Sequence, residues 1–132
     1  MKRDRILNPQ IVGEIAALGH TEYLCVADCG LPVPKGVKVV DVSVTAGIPR
    51  FLEVLEAVAD ELVVESMIVA SEIGEKNPAL LQNIKDVFNG NVPVTMISHE
   101  EFKQYTQRAK CIIRTGETSP FANVILIGGV NF

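Results

Sequence analysis

Apolar and polar positions along the 132-residue chain fall into short blocks, each with either a helical or a strand period. Asn8-Pro9 opens the first block: Asn suits an N-cap and Pro the first helical position. Ile11, Ile15 and Leu18 then share one face, and Gly19 is placed to end the helix. The apolar run from Tyr23 to Ala27 is too short for a helix and predicts a buried strand. "VKVVDVSV" over 37–44 is β-branched and partly alternating, which predicts a second strand. From Pro49 to about Leu62 the stripe Phe51, Leu52, Leu55, Val58 and Ala59 predicts a helix. "VVESMIVASEI" then reads as a strand, and Asn77 or Pro78 to Phe88 as a helix carrying Leu80, Leu81, Ile84 and Val87. "VPVTMIS" is a strand and "HEEFKQYTQRA" a short helix, with "CIIRTG" and "NVILIGG" as the last two strands.

Strands alternating with helices predict an α/β fold. Residues 1–132 are expected to form a single layered α/β/α domain, with helices on both faces of a largely parallel or mixed sheet. The last two strands, joined by "ETSPFA", are where an antiparallel partner can enter. Ligands of such sheets bind in the loops beyond strand ends, so polar residues at element ends are the candidates for chemistry.

Composition narrows the function classes. Hydrophobic residues are 48% of the chain and aromatics only 5%, with no Trp, more apolar surface than a small monomer hides; this predicts a homo-oligomer. The net charge of −4 and the lack of any basic stretch argue against nucleic acid. "MKRDRILNPQ" leads into no long apolar region, so it is not read as a signal peptide, and no membrane span is expected. Cys25, Cys29 and Cys111 suit small core or near-core positions rather than a disulfide framework, and the cytoplasm is the natural compartment.

No phosphate-binding glycine motif and no nucleophile elbow is present, and two histidines without ligand-spaced partners predict no metal and no cofactor. What remains is a set of single polar residues. Ser98 and Glu101 fit a capping box, which makes His99 the first helical residue, with a neutral ring beside the helix N-terminus. Lys103 lies one turn on, on the same face; the pair either faces a cleft or forms a solvated first turn with Lys103 bound to a nearby Glu. His20 follows Gly19, as a helix-end residue or a catalytic one. Asp28 ends an apolar strand, where it either meets a ligand or closes an Asx-type turn in "DCGLPVP". Glu117 and Asn123 flank "TSPFA", and Asn123 offers a donor and an acceptor to a hydroxyl or caps a turn.

"LGHT" at 18–21, "ADCGLPVP" at 27–34, "SHEEFK" at 98–103 and "IRTGETSPFAN" at 113–123, in that order and spacing, resemble the D-ribose pyranase family. This is the sugar mutarotase group that also includes L-fucose mutarotase. The resemblance implies cofactor-independent interconversion of β-D-ribopyranose and β-D-ribofuranose, an isomerase that supplies ribose for phosphorylation by ribokinase after uptake. It implies rings of five subunits, often stacked as decamers, with active sites at subunit interfaces. It places the catalytic His on His20 and the sugar-binding residues on Asp28, His99, Lys103 and Asn123, with Phe121 and Ala122 beside them. Phe121 stands where the family commonly has Tyr. His20 and Asp28 are then expected at the rim of one cleft, held rigid by the proline-rich segment. A non-catalytic sugar-binding or transport-associated module, and a mutarotase for fucose or another sugar, are the alternatives.

Overall fold

The computed structural model describes all of residues 1–132. The chain runs α1 (Pro9–Ala17), β1 (Tyr23–Ala27), β2 (Lys38–Asp41), α2 (Phe51–Ala59), β3 (Val64–Ala70), α3 (Ile73–Lys76), α4 (Pro78–Val87), β4 (Val94–Ile97), α5 (His99–Tyr105), a 3-10 turn (Thr106–Arg108), β5 (Ala109–Arg114) and β6 (Val124–Gly128). The six strands form one sheet in the order β2-β5-β1-β6-β3-β4. β1, β2 and β5 are mutually parallel, as are β3 and β4, while β6 is antiparallel to both β1 and β3. Five strands therefore point one way and β6 alone points back.

Side chains alternate across the sheet with a period of two. Leu24, Val26, Met67, Val69, Ile113 and Leu126 face one side and pack with α1, α2 and α4. Tyr23, Cys25, Ala27, Ile68, Ile112 and Ile125 face the other, under Phe102 of α5 and Leu31. β1 is buried at all five positions, as a strand covered on both faces must be, which explains why its sequence is a continuous apolar run.

Most predicted elements form, with shifted ends. α1 starts as expected: the Asn8 side chain accepts from Ile11 N at 2.9 Å, and Pro9 is the first helical residue. Gly19 is not its left-handed cap, because Leu18 is already extended and Gly19 N donates to Glu22 Oε2 at 2.8 Å. α2 begins at Phe51 rather than Pro49, whose carbonyl accepts from Gly116 N at 2.9 Å, and it ends at Ala59. The strand predicted over 63–73 stops at Ala70, and Ile73 opens the short α3. The strand predicted over 37–44 is limited to Lys38–Asp41. The helix predicted from His99 tightens into a 3-10 turn after Tyr105. The last two strands are not partners, because β1 lies between them. Of the cysteines, Cys25 and Cys111 are core residues and Cys29 is exposed.

Candidate active site

Because β6 alone is reversed, the C-terminal ends of β1 to β5 and the N-terminal end of β6 share one edge of the sheet. The residues just beyond those ends, Asp28, Ser71-Glu72, Ser98-His99, Thr115 and Asn123, therefore collect there. A cavity of about 290 Å³ opens at this edge, with Asp28, Leu31 and Pro32 on one side and His99, Pro120 and Phe121 on the other. Its size is at the small end of ligand sites, roughly 300–1,000 Å³, and suits a monosaccharide-sized guest.

Asp28 and Asn123 interlock. Asp28 N donates to Asn123 Oδ1 at 2.9 Å, and Asn123 Nδ2 donates to Asp28 Oδ2 at 3.0 Å. Asp28 Oδ1 accepts from Gly30 N and Leu31 N at 2.9 and 2.8 Å, the Asx turn expected for "DCG". An ionised carboxylate has about four acceptor positions. Three are filled within the chain, which leaves one on Oδ2 for a hydroxyl donor. Asn123 is fully buried and both ends of its amide are used on Asp28, so its side chain serves Asp28. Ala122 is also fully buried.

His99 is the first residue of α5, with Ser98 Oγ accepting from Glu101 N at 3.2 Å. The reciprocal bond from Ser98 N to Glu101 is not made; Glu72 instead caps the next residue, its two oxygens both accepting from His99 N at 3.0 Å. Burial raises the Glu72 carboxyl, but its own and the His99 backbone N–H groups, with Ser71, outweigh this and hold it below the usual range. The His99 ring lies edge-on to Phe121, centroids 5.2 Å apart at 77°, and parallel to Phe102 at 6.3 Å. Its Nδ1 is buried with no partner inside the chain. Phe121 itself has a φ of 57°, the left-handed region that bulky residues rarely occupy.

Two expected members of the site stand elsewhere. Lys103 pairs with Glu100 at 2.7 Å and does not line the cavity with His99. His20 and Asp28 do not share a rim: they flank β1 at opposite ends, and five residues at about 3.3 Å each separate them by about 17 Å. His20 Nε2 lies 2.8 Å from Glu65 Oε2, and both side chains are about half exposed. Thr21 N donates to Gly128 O at 2.8 Å, fixing this segment to the far end of β6.

Burial pushes the Cys25 thiol up, and the Cys111 thiol up to about 11, so neither supplies a thiolate at neutral pH. No group of three or more His, Cys, Asp or Glu side chains is gathered as a metal would need. No helix is long and apolar enough to cross a membrane. Sequence reasoning missed Glu65 and Glu72 because their partners lie 45 and 27 positions away. It also missed the apolar lining residues Leu31, Pro32 and Pro120, for which the proline-rich loop was the one available signal.

The chain is similar to known proteins over all or nearly all of their length. A D-ribose pyranase of Geobacillus thermodenitrificans is 47% identical, covering 100% of this chain and 99% of its own. One of Haemophilus influenzae is 45% identical, with 100% of both chains covered. The solved structure of Bacillus subtilis RbsD complexed with D-ribose has a TM-score of 0.96 and 42% identity, with both chains fully covered. The fucose mutarotase of Streptococcus pneumoniae in complex with L-fucose shares the fold, with a TM-score of 0.81 at 22% identity and coverage of 96% and 95%. With residues 1–131 matched by it, the chain belongs to the RbsD / FucU transport protein family.

Proposed function

We propose that this chain is a D-ribose pyranase, which interconverts β-D-ribopyranose and β-D-ribofuranose without a cofactor. The observation that carries the reading is the small cavity between Asp28, His99 and Phe121, in a chain alike along its whole length to D-ribose pyranases. The reaction changes no oxidation state. The bond from C1 to the ring oxygen breaks, and its electron pair goes to that oxygen, which takes up a proton. The anomeric hydroxyl loses a proton and becomes the aldehyde. Rotation and attack by a different hydroxyl on C1 reverse these transfers and close the other ring. One group that can both give and accept a proton serves both directions, and the His20 imidazole is assigned that role.

Asp28 accepts a sugar hydroxyl at its remaining Oδ2 position, and Asn123 holds Asp28 for that contact. The partnerless His99 Nδ1 meets a hydroxyl after a small ring adjustment. Ala122 contributes through its main-chain N–H, which has no partner within the chain. Phe121 covers an apolar face of the sugar, and Lys103 joins the site by releasing Glu100.

His20, about 17 Å along β1 from Asp28, meets this cavity in a neighbouring copy. The functional unit is thus a homo-oligomer, a ring of five or a stacked ten, with each site completed by two subunits of one single-domain chain. The furanose product feeds a sugar kinase in the cytoplasm. Saturation-transfer NMR on ribose tests the reading: the protein is expected to connect pyranose and furanose resonances. Tight ribose binding without exchange leaves a sugar-binding module instead, and exchange confined to fucose reassigns the substrate.

A further inference from the structure

α2 is only half capped by its own residues: Glu53 Oε1 accepts from Arg50 N at 2.8 Å, but no local side chain accepts from Phe51 N. Arg50 occupies the N-cap position, and a guanidinium has no acceptor to offer. The acceptor for Phe51 N comes from 66 positions away: Glu117 Oε1, at 3.2 Å. Glu117 Oε2 accepts from Thr118 N and Ser119 N, each at 3.2 Å. Glu117 is only 8% exposed. Burial raises its carboxyl, but the donors from Ser119, Phe51 and Thr118 outweigh it and hold it below the usual range. The charge is therefore retained at neutral pH, at a helix N-terminus that favours it.

The Glu117 main chain is engaged as well. Its carbonyl accepts from Cys29 N at 2.9 Å, next to Asp28. Its N–H donates to Thr115 Oγ1 at 3.2 Å, and that hydroxyl donates to Ala27 O at 2.8 Å. The preceding Gly116 lies so close to the 45–48 turn that a Cβ would stand 2.4 Å from Ile48 O. One residue thus ties both walls of the cavity: the Asp28–Leu31 turn through its carbonyl, and the loop to Pro120 and Phe121 through its carboxylate. Neither the Asp28–Leu31 turn nor the Thr118–Phe121 loop is a regular element. Phe121 sits in a left-handed conformation that persists only where its surroundings over-determine it. Asn77 Nδ2 supports the far side of the same loop, at 2.9 Å from Pro120 O.

We propose that Glu117 is a positioning residue of the sugar site, its carboxylate clamping the Thr118–Phe121 loop to the N-terminus of α2 so that Phe121 stays against the His99 ring in the cavity wall. This rests on the reading of the cavity as the ribose site. Glu117 touches nothing near His20, so it acts on sugar affinity rather than on proton transfer.

Glu117→Ala removes the clamp and leaves the Asn77 anchor. Glu117→Gln keeps the volume, but its NH2 must face either Phe51 N or the Thr118 and Ser119 donors. Turning it to Phe51 loses one bond instead of two, so the loop keeps most of its support. On the intact oligomer, Glu117→Ala is expected to raise ribose Kd and KM by roughly tenfold through lost preorganisation, with a much smaller change in kcat. Glu117→Gln is expected to fall between it and the native protein. Two sugar-free readouts accompany these: amide exchange at Thr118 and Ser119, and the nuclear Overhauser contact between the Phe121 and His99 rings. Both are expected to change in Glu117→Ala while β1 amides stay protected. A lower melting temperature with unchanged ribose affinity per folded molecule and an intact Phe121–His99 contact overturns the proposal. If Glu117→Ala does not fold, the same measurements on Glu117→Gln decide it by the same criteria. A native protein that fails to exchange ribose removes the proposed reaction, and the two sugar-free readouts still decide the clamp.

Discussion

Two inactive variants, mixed in one oligomer, separate a site made by one chain from a site made by two. His20→Ala removes the proposed proton-transfer group, worth about 10²–10⁴-fold in rate. His99→Ala strips the cavity wall at the other end of the sheet. Within a chain these residues lie at opposite ends of the sheet, about 17 Å apart along the strand direction alone, whereas proton transfer needs approach to about 2.6–3.2 Å. In a head-to-tail ring each junction would join the His20 end of one subunit to the cavity of the next. With the two variants present equally and at random, a junction has an intact His20 half the time and an intact cavity half the time. About a quarter of junctions are then native, whatever the ring size. Co-expression with two different tags, tandem purification and saturation-transfer NMR on ribose should recover about a quarter of native exchange from subunits that are each nearly silent alone. Exchange no higher than the mean of the two pure variants would falsify the two-subunit site.

Phe121→Tyr adds a hydroxyl at the cavity wall and is expected to change ribose affinity by about 0.5–1.5 kcal/mol with little effect on melting; calorimetry showing no change removes position 121 from the sugar contacts. Asn123→Ala leaves the Asp28 N–H and Oδ2 without their buried partner and should destabilise the fold by about 1–3 kcal/mol in urea, with ribose binding lost alongside; native stability argues that water replaces the amide. Glu117, Glu72 and Asp41 all have lowered carboxyl pKa values, Asp41 chiefly through Ser43 and further through Arg114. Their stabilisation is complete above the unfolded-chain values near 4 and is lost as pH falls through the lower folded values, so the urea midpoint should drop with acidification below about pH 4 and stay flat from about 5 to 7. Exhaustive chelation should leave ribose exchange intact; loss restored by one divalent metal would contradict the cofactor-free reaction.

Local signals carried most of the fold. The Asn8-Pro9 start, the apolar run Tyr23–Ala27 and the Ser98 cap each form as expected, because each rests on neighbours a few positions apart. The strand order was not legible: that β6 enters between β1 and β3 depends on pairings such as Tyr23 with Ile127, which no local period encodes. The site was half legible. Asp28, His99 and Phe121 do line one cavity; strand ends pointed to Asp28 and His99, and Phe121 came only with the family resemblance. The assignment of His20 to the same rim ignored the length of β1, which the sequence already contained. Lys103 near His99 followed from helical spacing, but Glu100 competes for its ammonium at 2.7 Å. Glu65, Glu72 and Glu117 find their partners 45, 27 and 66 positions away, beyond any pattern read along the chain.

The reversed strand also sets the order in which the molecule can be made. β2, β5 and β1 form one half of the sheet and β3 with β4 the other, and only β6 hydrogen-bonds to both. During synthesis the five strands β1 to β5 are made before residues 124–128 exist. Until then the two half-sheets have no shared ladder, and the edges of β1 and β3 that β6 will occupy are open to water. Such late, long-range pairing slows folding and leaves nascent chains exposed to edge-to-edge association. Ribosome-stalled chains released before Val124 should therefore be captured by chaperones, whereas chains that include Val124–Gly128 can join the two halves into one continuous sheet.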